Sequence, residues 1–396
     1  MSGRGDRLAG LDGLRGLAAL FVVVHHVFLR AFPGYPSDNA PAWAAPFIFG
    51  RFAVVVFIVL SGFSLALGPA RRGWKLGEVS EFLRRRARRI LPAYWAALAF
   101  SLAVAWLVMP PPGQATPGIA SVAVNGLLLQ NLVAVPTPNG AFWSLAVECQ
   151  LYLLFPLMLL GVRRRGPVAM VASVTLLVAI VGVAAPHVPR LEVFVLESAP
   201  DLAALFALGA VTAGIVSAGE ARRSWPWPAL ALAGLTPVLA IIAVLGSTWT
   251  LDHLLWVDLM LGPAVACLLA ALATGRPAGL LAVLDARPVR ALGLSSYSLY
   301  LTHVPVVVLV YELAVLPLLG HGAAAFLVAL ALVLPMAIGL ARAFAAAFER
   351  PSVHAEARRE RVAEQHHVPH LTHLGEPGSL AGVPRKATVA HEARAL

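Results

Sequence analysis

Charge is scarce in this chain. Only 13% of its 396 residues are charged while 59% are hydrophobic, and the mean hydropathy is +0.80. A soluble protein of this length needs more polar surface, so that class is excluded. Cysteine is nearly absent too: Cys149 and Cys267 both stand inside apolar segments, which rules out a disulfide framework and leaves the redox compartment open. No cleavable signal peptide is expected, because the first apolar run carries Arg15, lacks a small-residue cleavage site and continues to full spanning length. No internal repeat is visible, which weighs against a carrier built from inverted halves. Acidic residues number 20 against 30 basic ones, for a net charge of +10. That surplus does not indicate nucleic acid, since the arginines sit in short loops between apolar runs, where membrane orientation explains them.

What is present is apolar sequence in spanning lengths. Stretches near 12–31, 47–67, 90–109, 143–161, 167–185, 200–217, 229–246, 253–273, 295–317 and 322–348 are expected to cross a membrane. The fold class is therefore all-α, a polytopic membrane protein of about ten transmembrane helices. Placing the N-terminus in the cytoplasm puts Arg71, Arg72, Lys75, Arg84 to Arg86, Arg88, Arg89, Arg163 to Arg165, Arg222, Arg223, Arg276, Arg287 and Arg290 on the cytoplasmic side. Arg190 is the main exception, with Arg30 and Arg51 at helix ends. By the positive-inside rule both termini are cytoplasmic, and the expected location is the cell (plasma) membrane, multi-pass. Residues 118–136 are apolar enough to span, yet a crossing there would turn Arg163 to Arg165 outward. They read as a re-entrant or surface-lying piece, with an eleventh span as the alternative. A transmembrane domain over 1–350 is followed at 351–396 by polar, irregular sequence read as a disordered cytoplasmic tail. Its cluster of His366, His367, His370 and His373 lacks a carboxylate or cysteine at ligand spacing and is interrupted by Pro369, so a solvated tail is the better reading than a metal site.

Four constellations of polar residues stand inside or beside the spans. Arg15 and His26 share the first: eleven helical steps return to within about 20° of the same face and climb roughly 16 Å, so both face one interior at different depths. Ionisable residues in hydrocarbon are costly and mark functional sites. Ser296, Tyr300 and His303 form a polar stripe on another helix, where a lone histidine is also often only a packing residue. Ser144, Glu148 and Tyr152 lie four apart on one face, with Glu148 the only acid of that span. It is either a structural ion pair or a carboxylate that orients or recharges a histidine. Finally, Arg86 and Arg89, three apart within the run Arg84 to Arg89, are either a topology signal in contact with anionic lipid or a grip for phosphates.

Taken together these segments resemble the acyltransferase-3 family of integral-membrane acyltransferases, which O-acylate surface polysaccharides, lipid-linked sugars and some macrolides. The resemblance is carried by the Arg-x10-His pattern of Arg15 and His26, the stretch Phe57-Ile-Val-Leu-Ser-Gly-Phe63, the Arg-x2-Arg pattern of Arg86 and Arg89, Trp143-Ser-Leu-x-x-Glu148 with Tyr152 and Pro156, and Ser296-Tyr-Ser-Leu-Tyr-Leu-Thr-His303. It runs from about residue 8 to 350. It implies transfer of an acyl group, by family habit acetyl, from cytoplasmic acyl-CoA to an acceptor hydroxyl on a carbohydrate, cell-envelope glycan or macrolide. His26 would be the catalytic base, Arg15 its partner, Arg86 and Arg89 the donor-binding pair, and Glu148 and His303 further catalytic residues. No metal and no bound cofactor are called for; acyl-CoA is a co-substrate, and the remaining partners are membrane lipids. Many polysaccharide-modifying members carry a fused extracytoplasmic domain, for which no room is expected after residue 350. A proton-coupled transporter, or a scaffold that binds lipid, would also explain part of this pattern.

Overall fold

The computed structural model describes residues 8–219 and 224–349, which are mostly helical, with no strand among them. The expected tail at 351–396 with its histidine cluster, and Arg222 and Arg223, lie outside the described residues. The long elements are α1 (Leu11–Ala31), α2 (Arg51–Arg71) and α3 (Val79–Leu107), then the short α4 (Ile119–Gly126), followed by α5 (Phe142–Arg165) and α6 (Pro167–Ala184). After these come α7 (Pro189–Ser198), α8 (Asp201–Ser217), α9 (Trp227–Asp252) and α10 (Leu254–Ala273). Two short helices, α11 (Ala278–Leu284) and α12 (Arg287–Gly293), precede α13 (Ser296–Leu319) and α14 (Ala323–Glu349). Among the described residues nine helices are long and apolar enough to cross a membrane, and α7 with α8, bent by 45° between them, makes a tenth if counted as one span.

With the bent pair so counted, Leu11 and Glu349 come to the same end of the bundle, where Ser298 Oγ at the start of α13 donates to Glu349 Oε2 at 2.8 Å. The arginine-rich loops share that end. One boundary departs from the hydropathy reading: α3 starts at Val79 rather than near 90. Arginine is a good helix former, so the run Arg84 to Arg89 continues the helix beyond its apolar stretch.

Residues 118–136 do not form an eleventh span, because α4 has only eight residues and about 20 are needed. The segment enters beside the far end of α3, where Trp106 Nε1 donates to Pro117 O at 2.8 Å. It then reaches the middle of the same helix, where Tyr94 OH donates to Asn125 O at 2.6 Å and Trp95 Nε1 to Gly126 O at 3.0 Å. These side chains satisfy carbonyls that lipid could not, the condition under which irregular backbone is tolerated at membrane depth.

Helices α2 and α8 pack closely along their length. A Cβ added at Gly62 would lie 2.0 Å from Phe206 O, and one at Gly209 would lie 2.0 Å from Val59 O. Lipid offers no hydrophobic drive for helix association, so close packing through small residues does this work. Gly62 is the glycine of the Ser-Gly-Phe stretch that the sequence marks out.

Candidate active site

Helices α1 and α13 bring two histidines together. His303 Nε2 lies 3.3 Å from His26 Nδ1, with ring centroids 4.8 Å apart in an edge-to-face arrangement, and His303 is fully buried. The surrounding acceptors fix the protons. Among the described residues His303 Nδ1 faces only carbonyls, Tyr300 O at 2.8 Å and Leu299 O at 3.2 Å, so this nitrogen carries the hydrogen and Nε2 is an acceptor in the neutral ring. His26 Nδ1 then faces two acceptors, that Nε2 and Val22 O at 2.9 Å, and must itself be the donor. A neutral His26 accordingly presents a bare lone pair at Nε2. Adjacent His25 serves another purpose, since its Nδ1 donates to Phe47 O at 2.8 Å and its ring lies against Gly50, which latches α1 to the turn before α2.

Tyr300, one turn before His303, ties this pair to α5. Its hydroxyl donates to Ala141 O at 2.8 Å, so the hydroxyl of Ser144, 2.5 Å away, donates to it in turn. A proline explains a second tie. Pro305 cannot bond to the carbonyl four residues earlier, and that freed carbonyl, Leu301 O, accepts from Asn139 Nδ2 at 3.0 Å. Asn139 is fully buried, also reaches Ser101 Oγ at 3.3 Å, and accepts from Ala141 N at 3.0 Å. The re-entrant segment is thereby pinned to the histidine-bearing helix.

Glu148 belongs to a separate polar group. Tyr152 OH donates to Glu148 Oε1 at 2.5 Å, and Ser61 of α2 donates to the same tyrosine oxygen at 3.0 Å. Among the described residues its hydrogen-bond partner is therefore Tyr152 and neither histidine. Arg86 is half-buried, 5.9 Å from the Phe82 ring centroid and within electrostatic reach of Tyr152, whereas Arg89 is exposed. Arg15 sits toward the arginine-rich end, 30% exposed and 3.8 Å from Asp12, on the same helix face as His26 and about 16 Å along the axis from it.

A third cluster escaped the sequence reading. Arg51, taken there as a helix-end arginine, donates from Nε to Asp258 Oδ2 at 2.5 Å and from Nη2 to Asp201 at 3.0 and 3.2 Å, and its guanidinium covers the ring of Trp143 at 5.2 Å. Both carboxylates are buried, at 1% and 0% exposure. A legible signal existed: Asp201 and Asp258 are acids within or at the edge of apolar spans, where a charge needs a partner. Arg30, the other helix-end arginine, pairs with Glu312 at 3.6 Å.

This arrangement of a histidine pair, a tyrosine-bonded glutamate and a basic helix start can be compared with known proteins. The family model described as an acyltransferase domain matches residues 8–341. The chain belongs to the acyltransferase-3 family. It is thus an integral-membrane acyltransferase, and the carrier and scaffold readings give way to an enzyme. It is 30% identical over 328 residues to the acyltransferase MdmB of Streptomyces mycarofaciens, covering 76% of this chain and 79% of that one. To the putative peptidoglycan O-acetyltransferase YrhL of Bacillus subtilis it is 26% identical over 340 residues, 76% of this chain but 49% of the relative. To the O-acetyltransferase OatA of Staphylococcus aureus it is 29% identical over 165 residues, 38% of this chain and 24% of that one. No solved structure matches.

Proposed function

We propose that this member of the family moves an acyl group, acetyl in the first instance, from acyl-CoA at the arginine-rich end to a hydroxyl of a carbohydrate, cell-envelope glycan or macrolide acceptor, with His26 as general base, in the plasma membrane. The observation that carries this reading is the proton assignment in the histidine pair. It leaves His26 Nε2 as an unprotonated imidazole nitrogen inside the bundle, and imidazole is the side chain suited to accept an alcohol proton near neutral pH.

In this mechanism His26 Nε2 takes the hydroxyl proton as the alcohol oxygen attacks the thioester carbonyl. The C–O bond forms, the C–S bond breaks, and the proton passes from His26 to the departing coenzyme A thiolate. His303 orients and supports the base: once His26 is an imidazolium, its Nδ1 hydrogen points at the His303 Nε2 lone pair. Arg86 and Arg89 serve the phosphates of the donor as it enters, and Arg15 stands nearer the arginine-rich end of α1 than the base does. Glu148 is held by Tyr152 and bonds neither imidazole among the described residues, so this mechanism gives it no part in the proton transfer.

Turnover of radiolabelled acetyl-CoA by the purified protein, with and without the His26→Ala change, tests this reading. Loss of turnover in a folded His26→Ala protein is the expected result. Undiminished acyl transfer by that variant would overturn the assignment of the base.

A further inference from the structure

A cavity of about 430 Å³ opens beside the beginning of α5, at the end of the bundle away from the arginines. Its walls come from the re-entrant segment, α5 and α7, and they carry Gln114, Gln130, Thr137, Trp143 and Glu197. We propose that this cavity binds the acceptor as a pyranose sugar, with Trp143 as the platform for the ring, a proposal that rests on the transferase reading above.

Four observations converge on it. The lining combines an indole with two amides, a hydroxyl and a carboxylate, the set that meets a sugar's apolar face and its ring of hydroxyls. The platform is held rigidly, because Arg51, clamped by Asp201 and Asp258, covers the Trp143 ring. The same stretch of chain also reaches the base: Gly140 lines the cavity, while the next residue, Ala141, accepts from Tyr300, whose carbonyl in turn holds His303. A volume of this size falls in the range that takes a small ligand.

Ala134, exposed and lining the cavity, provides a handle free of side-chain hydrogen bonds. The test is the alkylation rate of full-length Ala134→Cys in detergent with a charged thiol reagent, in the presence and absence of an N-acetylglucosamine oligomer and of a matched acyclic polyol. Acetyl-CoA turnover is followed separately. The oligomer is expected to slow alkylation several-fold, the polyol is not, and the protection is expected to be lost in Trp143→Ala and largely kept in Trp143→Phe, which retains a ring if the alanine variant fails to fold. Absence of protection by the oligomer would overturn the proposal, and so would protection that Trp143→Ala leaves intact. Protection without any acetyl-CoA turnover would instead uphold the sugar site and overturn acetyl-CoA as the donor, so the two failures are distinguishable.

Discussion

At the scale of single residues, the proposed chemistry rests on which nitrogen of His26 is bare, and its neighbours bear on that. If His303 only fixes the tautomer and supports the imidazolium, its loss should cost less than loss of the base. General-base removal is worth about 10²–10⁴-fold, so His26→Ala should fall in that range in kcat. His303→Ala should lose less and His303→Gln should recover part of the loss, since an amide oxygen can still accept from His26 Nδ1. The kcat pH profile of the two His303 variants checks this, because a merely structural role would not move it. Arg51 offers a contrast. Removing one partner of a buried ion pair strands the other, at about 3–5 kcal/mol, so Arg51→Ala should be strongly destabilised by the two carboxylates it leaves behind. Asp258→Asn should be milder, because Asp201 still compensates the guanidinium. Thermal unfolding in detergent, at equal detergent concentration, measures both.

At the scale of elements, two backbone contacts decide where side chains end up. Gly62 lets α2 approach the Phe206 carbonyl of α8, and on the same helix the adjacent Ser61 reaches Tyr152. Overpacking a close contact costs typically 1–3 kcal/mol, so Gly62→Ala should lower the unfolding temperature by an amount corresponding to about that range. The second contact is the carbonyl that Pro305 frees on α13. Asn139→Leu would leave Leu301 O buried without its donor, a penalty of about 1–3 kcal/mol, and would unpin the re-entrant segment. Faster proteolytic nicking within 110–140, with α14 still protected, is the expected signature. Pro305 and Asn139 are each conspicuous in the sequence, but their pairing over 162 positions is a tertiary fact.

At the scale of the whole molecule, the bundle sorts its polar residues by depth. Arginines crowd one end, the histidine pair lies within the span, and the carboxylate-clamped Arg51 with Trp143 marks the far side. The arginine-rich end should be cytoplasmic by the positive-inside rule. Impermeant thiol reagents should then label a cysteine placed at Lys75 only after the cells are opened, and one placed at Gln114 in intact cells. Proteoliposomes should turn over acetyl-CoA supplied on the arginine-rich face alone.

Hydropathy and charge along the chain determined the class and the approximate tally of spans, because the cost of polar backbone and charge in lipid is set by local composition, whereas the choice between a re-entrant piece and an eleventh span at 118–136 fell to the eight-residue length of α4. The motifs determined the family, and helical periodicity determined that Arg15 shares a face with His26. Tertiary structure alone decided that His26 meets His303, that Ser61 of α2 joins Tyr152 beside Glu148, and that Arg51 is clamped between two buried aspartates. The physical reason is common to all three. A buried polar group is placed by whichever partner lies within hydrogen-bonding distance, and for residues 277, 91 or 207 positions apart that distance is created only when the helices pack.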